Sequence, residues 1–244
     1  MPRRPRIHLD GVALQIVQRG HNRDACLFYE QDYHAYLGWL GDALQRECCA
    51  LHAYVLMTNH VHLLMTPEKA SAIPRLVMDV GRRYVQYINR TYGRTGTLWD
   101  SRCKSSLVQA ETYFLLCQRY IELNPVRASM VGDPADYRWS SYRANALGEA
   151  NALLSPHPLW FALGQGDVQC QAAYRELFRT AQERAPIAEL RMALNQSQPI
   201  GNARFYAEIE ATTGQHRELR KRGRPCKTDV DESEGRSEQQ ELPL

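Results

Sequence analysis

The sequence predicts an α+β fold: a four-stranded antiparallel sheet in the chain order β-α-β-β-α-β, one added helix, and a helical, basic C-terminal extension. Three observations predict it. Short runs of branched and aromatic residues alternate with longer runs whose apolar positions recur at helical spacing. Two strand-like runs are separated by only two polar residues, Thr58 and Asn59, which signals a hairpin. The last helical run of the first half meets Pro125, a residue that disfavours helix on its N-terminal side.

Residues 12–17 read as the first strand, through Val12, Leu14, Ile16 and Val17. Residues 31–49 read as a helix with Tyr33, Tyr36, Leu37, Leu40 and Leu44 on one side. Residues 52–57 and 60–65 form the hairpin strands. Residues 71–92 place Ile73, Leu76, Val80, Tyr84, Tyr87 and Ile88 along a second helix. A loop with Gly93, Gly96 and Trp99 leads to a short strand at 105–108, and residues 110–124 form the third helix. This order is the split βαβ arrangement of ferredoxin-like folds, an antiparallel sheet with helices on one face. The chain is then expected to be helical near 168–195 and 203–212, with 184–212 suggesting a small helix-turn-helix-like unit.

Composition excludes several classes. In 244 residues, 44% are hydrophobic and 23% charged, which rules out collagen, coiled-coil fibre and wholesale disorder. The net charge of +3 is an average over unlike parts. Residues 228–244 hold six acidic residues and Arg236; without them, 29 basic residues face 21 acidic ones. A basic body points to a polyanion partner, and an acidic tail is expected to compete for the same surface. Seven cysteines without a C-x-x-C pair give no disulfide framework. No stretch approaches the roughly 20 apolar residues of a membrane span. These features predict a cytoplasmic protein with reduced thiols and no membrane association.

His60-Val61-His62 lies in a strand, where side chains alternate, so both imidazoles point to one side and Val61 to the other. Two such imidazoles can share one metal ion, although eight histidines make the pair common by chance. Tyr120 and Asn124 are one helical turn apart and share a face. Taken alone, they also suit a half-buried aromatic and a C-terminal cap.

The strand from Tyr54 through Asn59, His60 and His62 to Leu64 resembles the H-hydrophobe-H strand of HUH single-tyrosine transposases. Residues 119–128, which include Tyr120, Asn124, Pro125 and Arg127, resemble their nucleophile helix, specifically that of REP-associated tyrosine transposases of bacteria. Residues 19–23 (Arg-Gly-His-Asn-Arg), 96–102 (Gly-Thr-Leu-Trp-Asp-Ser-Arg) and 139–142 (Trp-Ser-Ser-Tyr) are also similar to that family. The resemblance covers about residues 7–145. It implies His60, His62 and Asn124 as ligands of a divalent metal, Mg²⁺ or Mn²⁺, and Tyr120 as the nucleophile that forms a 5′-phosphotyrosine. Insertion-sequence relatives commonly carry Gln at the third ligand position; Asn124 agrees with the REP-associated branch. The implied substrate is single-stranded or hairpin DNA of REP-like palindromes, cut near a short tetranucleotide at the hairpin foot. A bacterial, nucleoid-associated protein is implied as well, with a monomer favoured and a dimer left open.

On this reading the chain divides into a catalytic domain at 1–145 and a helical extension at 146–216. A basic segment similar to an AT-hook follows at 217–227, then a disordered acidic tail at 228–244. The DNA contacts expected from basic and aromatic residues are Arg3, Arg4, Arg6, Arg82, Arg83, Trp99, Arg102, Arg222 and Arg224. The rival readings are a non-catalytic hairpin-binding regulator, a ferredoxin-like RNA-binding module, and a zinc hydrolase using water.

Overall fold

The computed structural model describes residues 6–179 and 184–216. The strands are β1 (Leu14–Arg19), β2 (Cys49–Met57), β3 (His60–Pro67) and β4 (Lys104–Leu107). They form one antiparallel sheet in the order β2-β3-β1-β4. Helix α1 (Glu30–Arg46) joins β1 to β2, and α2 (Ala72–Thr91) joins β3 to β4. The first strand sits two residues later than the pattern suggested, because Val12 and Ala13 precede the ladder.

Strand alternation divides the core. Leu14, Ile16, Val61, Leu63 and Met65 pack with Tyr36, Leu40, Leu76, Val80 and Tyr84 of α1 and α2. Val17, Val55, Met57 and Leu64 face the other way. That second face corrects the expectation of helices on one side only. It is covered by α3 (Ala110–Glu122), through Phe114, Cys117 and Ile121, and by α8 (Arg184–Gln196), through Ile187, Leu190, Ala193 and Leu194. A sheet that is apolar on both faces must bury both.

Both sheet edges are closed. Outside β2, Trp139 O accepts from Leu56 N at 2.9 Å, and Ser141 exchanges backbone and side-chain hydrogen bonds with Tyr54. Outside β4, Ile200 N donates to Leu107 O at 2.8 Å. The Trp-Ser-Ser-Tyr segment therefore protects an edge, and Trp139 stacks on Tyr33 at 4.5 Å.

The remaining helices are α4 (Asn124–Arg127), α5 (Tyr142–Leu147), α6 (Pro158–Phe161), α7 (Asp167–Arg179) and α9 (Ala203–Thr213). Buried Glu122, at the end of α3, ties this extension down: it accepts from Ser141 Oγ at 2.6 Å, Asn145 Nδ2 at 2.8 Å and Tyr174 Oη at 2.7 Å. Burial pushes its carboxyl up to about 7 despite these three donors. The suggested helix-turn-helix-like unit does not stand apart, because α8 is spent on the sheet. No described helix is long and apolar enough to cross a membrane. The expected AT-hook-like segment and acidic tail lie outside the described residues.

Candidate active site

The hairpin turn presents His60 at the start of β3, and the strand period returns His62 to the same face. Their ring centroids are 5.0 Å apart. Burial pushes the imidazole of His60 down to about 4 and holds that of His62 well below its ordinary value. Both rings are thus neutral at physiological pH, the state in which imidazole binds metal.

Each ring is held through Nδ1. Asn59 Oδ1 lies 2.6 Å from His60 Nδ1 and fixes that nitrogen as the donor, which leaves the Nε2 lone pair open. Asn59 is itself anchored by donating from Nδ2 to Arg23 O at 3.0 Å. His62 Nδ1 lies 2.9 Å from the amide of buried Gln15, and that amide also meets the Cys117 thiol at 2.9 Å. Metal binding through His62 Nε2 requires a proton on Nδ1, so the Gln15 amide must then present its oxygen there. A half-turn about the terminal torsion achieves this.

Helix α3 carries Tyr120 beside the imidazoles: its ring centroid is 6.0 Å from that of His62, and the residue is 9% exposed. The helix does not run to Pro125 as the sequence suggested. It breaks at Leu123 (φ −84°, ψ 1°), and Pro125 enters the first turn of α4, where its missing N–H costs nothing. The break lets Asn124 fold back and donate from Nδ2 to Tyr120 O at 3.1 Å and Ile121 O at 3.2 Å. Arg127 also donates to Tyr120 O. Asn124 thus acts as a cap with its nitrogen and keeps its side-chain oxygen as an acceptor, so the capping and ligand readings are compatible.

His60, His62, Tyr120 and Asn124 line one open cavity of about 410 Å³. Val17, Arg19, Arg23, Asp100, Ser101, Arg102, Lys104, Arg191, Leu194 and Asn195 complete its walls. Two imidazoles and one amide oxygen are a donor set that fits a six-coordinate divalent ion with open positions. Among the described residues no group of three His, Cys, Asp or Glu side chains is placed to hold a metal.

The expected DNA contacts divide. Arg102 lies in the cavity wall. Arg6 donates to Cys103 O at 2.6 Å, next to β4. Arg82 and Arg83 sit on α2, beyond the opposite face of the sheet, and Arg83 pairs with Asp42 at 2.9 Å, so the fold does not bring them to the cavity. Trp99 is only 8% exposed and stacks on Tyr84 at 5.9 Å; its ring belongs to the core and offers no stacking face for a base. Arg3, Arg4, Arg222 and Arg224 lie outside the described residues.

Sequence reasoning did not single out Arg19, Arg23, Arg191 and Asn195 as site residues. The signal for Arg19 was present: it extends the Gln15, Val17 alternation and pairs directly with His60 across the ladder. The Arg-Gly-His-Asn-Arg segment forms a tight turn with Asn22 and Arg23 in the left-handed region (φ 52° and 65°), and it delivers both arginines to one cavity. Gly20 is required there, since an added Cβ would lie 2.2 Å from Asp24 O.

Residues 9–124 match the family model described as transposase IS200 like. Over this segment the chain is similar to the IS200-like transposases. Its cavity, the paired histidines and Tyr120 all fall within the matched segment or against it. Among solved structures, a REP-associated tyrosine transposase bound to a REP hairpin is similar to this chain, with a TM-score of 0.53 and 15% identity. The match covers 64% of this chain and 93% of that one, and it shows a shared fold. A Deinococcus radiodurans R1 protein assigned as a transposase overlaps at a TM-score of 0.34 with 21% identity, over 50% of this chain and 96% of its own. A bacterial tRNA(His) guanylyltransferase-like protein in complex with GTP overlaps at 0.36 with 12% identity, over 54% and 72%. Neither of these two overlaps bears on function. No curated protein matches the sequence.

Proposed function

We propose that the protein is a metal-dependent single-strand DNA endonuclease and strand transferase that acts on hairpin DNA of the REP type through a 5′-phosphotyrosine at Tyr120. The observation that carries the reading is the convergence of His60, His62, Asn124 and Tyr120 on one cavity rimmed by arginines. The hairpin substrate rests on the relative that was solved with a REP hairpin bound. The catalytic domain is taken as residues 1–145, with 146–216 as a helical extension.

Tyr120 Oη gives up its proton and attacks the scissile phosphorus. An O–P bond forms to the phenol, the P–O3′ bond breaks, and the departing 3′ oxygen takes a proton to become a hydroxyl. Rejoining is the reverse attack by a 3′-hydroxyl, which restores the phenol, so no external energy source is needed. His60 Nε2, His62 Nε2 and Asn124 Oδ1 would hold Mg²⁺ or Mn²⁺, which supplies Lewis-acid polarisation of the phosphate. Asn59 and Gln15 fix the orientation of the two imidazoles. Arg127, whose guanidinium carbon lies 4.2 Å from the Tyr120 ring centroid, keeps positive charge beside the ring. A monomer is part of this proposal because the resemblance to REP-associated tyrosine transposases implies it.

The test is a denaturing gel of labelled hairpin DNA incubated with the protein and Mn²⁺. A protein–DNA band that depends on Tyr120 and disappears with chelator is expected. Cleavage that persists in Tyr120→Phe would sink the nucleophile. Binding without any adduct would favour the alternative, a hairpin-binding regulator that retains the fold.

A further inference from the structure

We propose that Arg191, on α8 and outside the family segment, is a catalytic residue whose guanidinium binds a non-bridging oxygen of the phosphate that Tyr120 attacks. The inference rests on Tyr120 being the nucleophile.

Two guanidinium groups lie against the Tyr120 ring. That of Arg127 is 4.2 Å from the centroid and that of Arg191 is 5.8 Å away. They differ in freedom. Arg127 is partly buried and is committed to the backbone carbonyl of Tyr120. Arg191 is exposed, lines the cavity, and pairs with no described carboxylate. An unpaired arginine at the mouth of a cavity retains its whole fork for a phosphate, which it can bind through two parallel hydrogen bonds.

Its backbone is fixed even though its side chain is free. Leu190, Ala193 and Leu194 flank it in sequence and are buried on the sheet. Ser106 Oγ donates to Ala193 O at 3.3 Å, and Lys104 Nζ donates to Asn195 Oδ1 at 3.0 Å. Both partners are on β4, so α8 is pinned to the sheet that carries the histidines. A cation held there stabilises the negative charge that grows on the phosphoryl oxygens as the phenol oxygen bonds and the 3′ oxygen departs. The consequence is that the catalytic domain is not self-sufficient: α8 completes the site within the same chain.

The test uses the full chain, a hairpin oligonucleotide and Mn²⁺, with single-turnover formation of the Tyr120 adduct followed at saturating DNA. Arg191→Ala is expected to slow adduct formation about 10²-fold, the usual loss when one transition-state donor is removed. Arg191→Lys, which keeps the charge without the fork, should fall between. Arg204→Ala, on α9 and paired with Glu208, is the control and should match the parent. A second readout needs no turnover: in chelator, the salt dependence of DNA affinity should lose about one counterion from its slope in Arg191→Ala. Matching melting temperatures would show that the variants are folded. An Arg191→Ala rate within about threefold of the parent overturns the proposal, as does a loss of affinity with no loss of rate at saturation. A parent chain that forms no adduct removes the nucleophile, and this inference with it, whereas an active parent with an unaffected Arg191→Ala removes the inference alone.

Discussion

The two faces of the sheet use the same four strands in different ways. Toward α1 and α2, β1 and β3 present Leu14, Ile16, Val61, Leu63 and Met65 to an apolar layer. Toward α3 and α8 they present Gln15, Val17, Arg19, His60, His62 and Leu64, so that one end of this face is core and the other end is an open polar cavity. Alternation at every second residue makes this division possible, because a strand can dedicate its two sides to stability and chemistry independently. The polar side carries the greater cost: its groups must be either hydrogen-bonded or open to solvent. Asn59, Gln15 and Asn124 meet that requirement for His60, His62 and the α3 terminus.

The largest expected effect falls on the polar face. Tyr120→Phe should reduce covalent adduct on hairpin DNA by at least about 10³-fold while changing stability by less than about 1 kcal/mol, as a denaturing gel and a urea melt would read. A comparable loss of stability would mean that the tyrosine serves the core. The converse substitution, Leu63→Ala on the apolar face, should cost about 2–5 kcal/mol in the urea melt and leave the adduct rate per folded molecule unchanged. If both readouts moved together, the two faces would not be separable.

A third prediction concerns pH. Glu122 has an ordinary value of 4.5, and burial raises it to about 7 in the fold. Below 4.5 the carboxyl is protonated folded or unfolded, and its contribution is complete. As pH rises toward 7 the unfolded chain ionises freely while the fold must either keep the proton or bury a charge. Stability should therefore fall between these values by an amount on the order of 3 kcal/mol, and then level off. Urea midpoints against pH should show this slope, and Glu122→Gln should flatten it. The smallest effect is expected at Gln15. Gln15→Leu should weaken Mn²⁺ binding about 10- to 100-fold in a calorimetric titration, because His62 loses the partner that orients it. Unchanged metal affinity would separate Gln15 from the site.

Much of this was legible before folding. The element order, the hairpin at Thr58 and Asn59, and the shared side of His60 and His62 follow from local periodicity. Tyr120 was legible as a helical partner of Asn124. Other features were not. Trp99 reads as a stacking residue in a basic loop, yet it packs on Tyr84 because β1 draws the loop inward through the pairing of Gly20 with Trp99. Arg82 and Arg83 read as DNA contacts by composition, yet α2 lies beyond the other face of the sheet.

The sequence by itself determined the strand and helix periods, the two-faced β3, and the helix that carries Tyr120. Each depends on residues near one another in the chain, where spacing alone fixes direction. Only the tertiary structure decided which arginines meet the histidines. Arg19 reaches them through the β1–β3 register, Arg23 through a left-handed turn, and Arg191 through a helix that arrives after the family segment has ended. The physical reason is that burial of a second apolar sheet face, satisfied by α3 and α8 together, sets where those distant side chains lie.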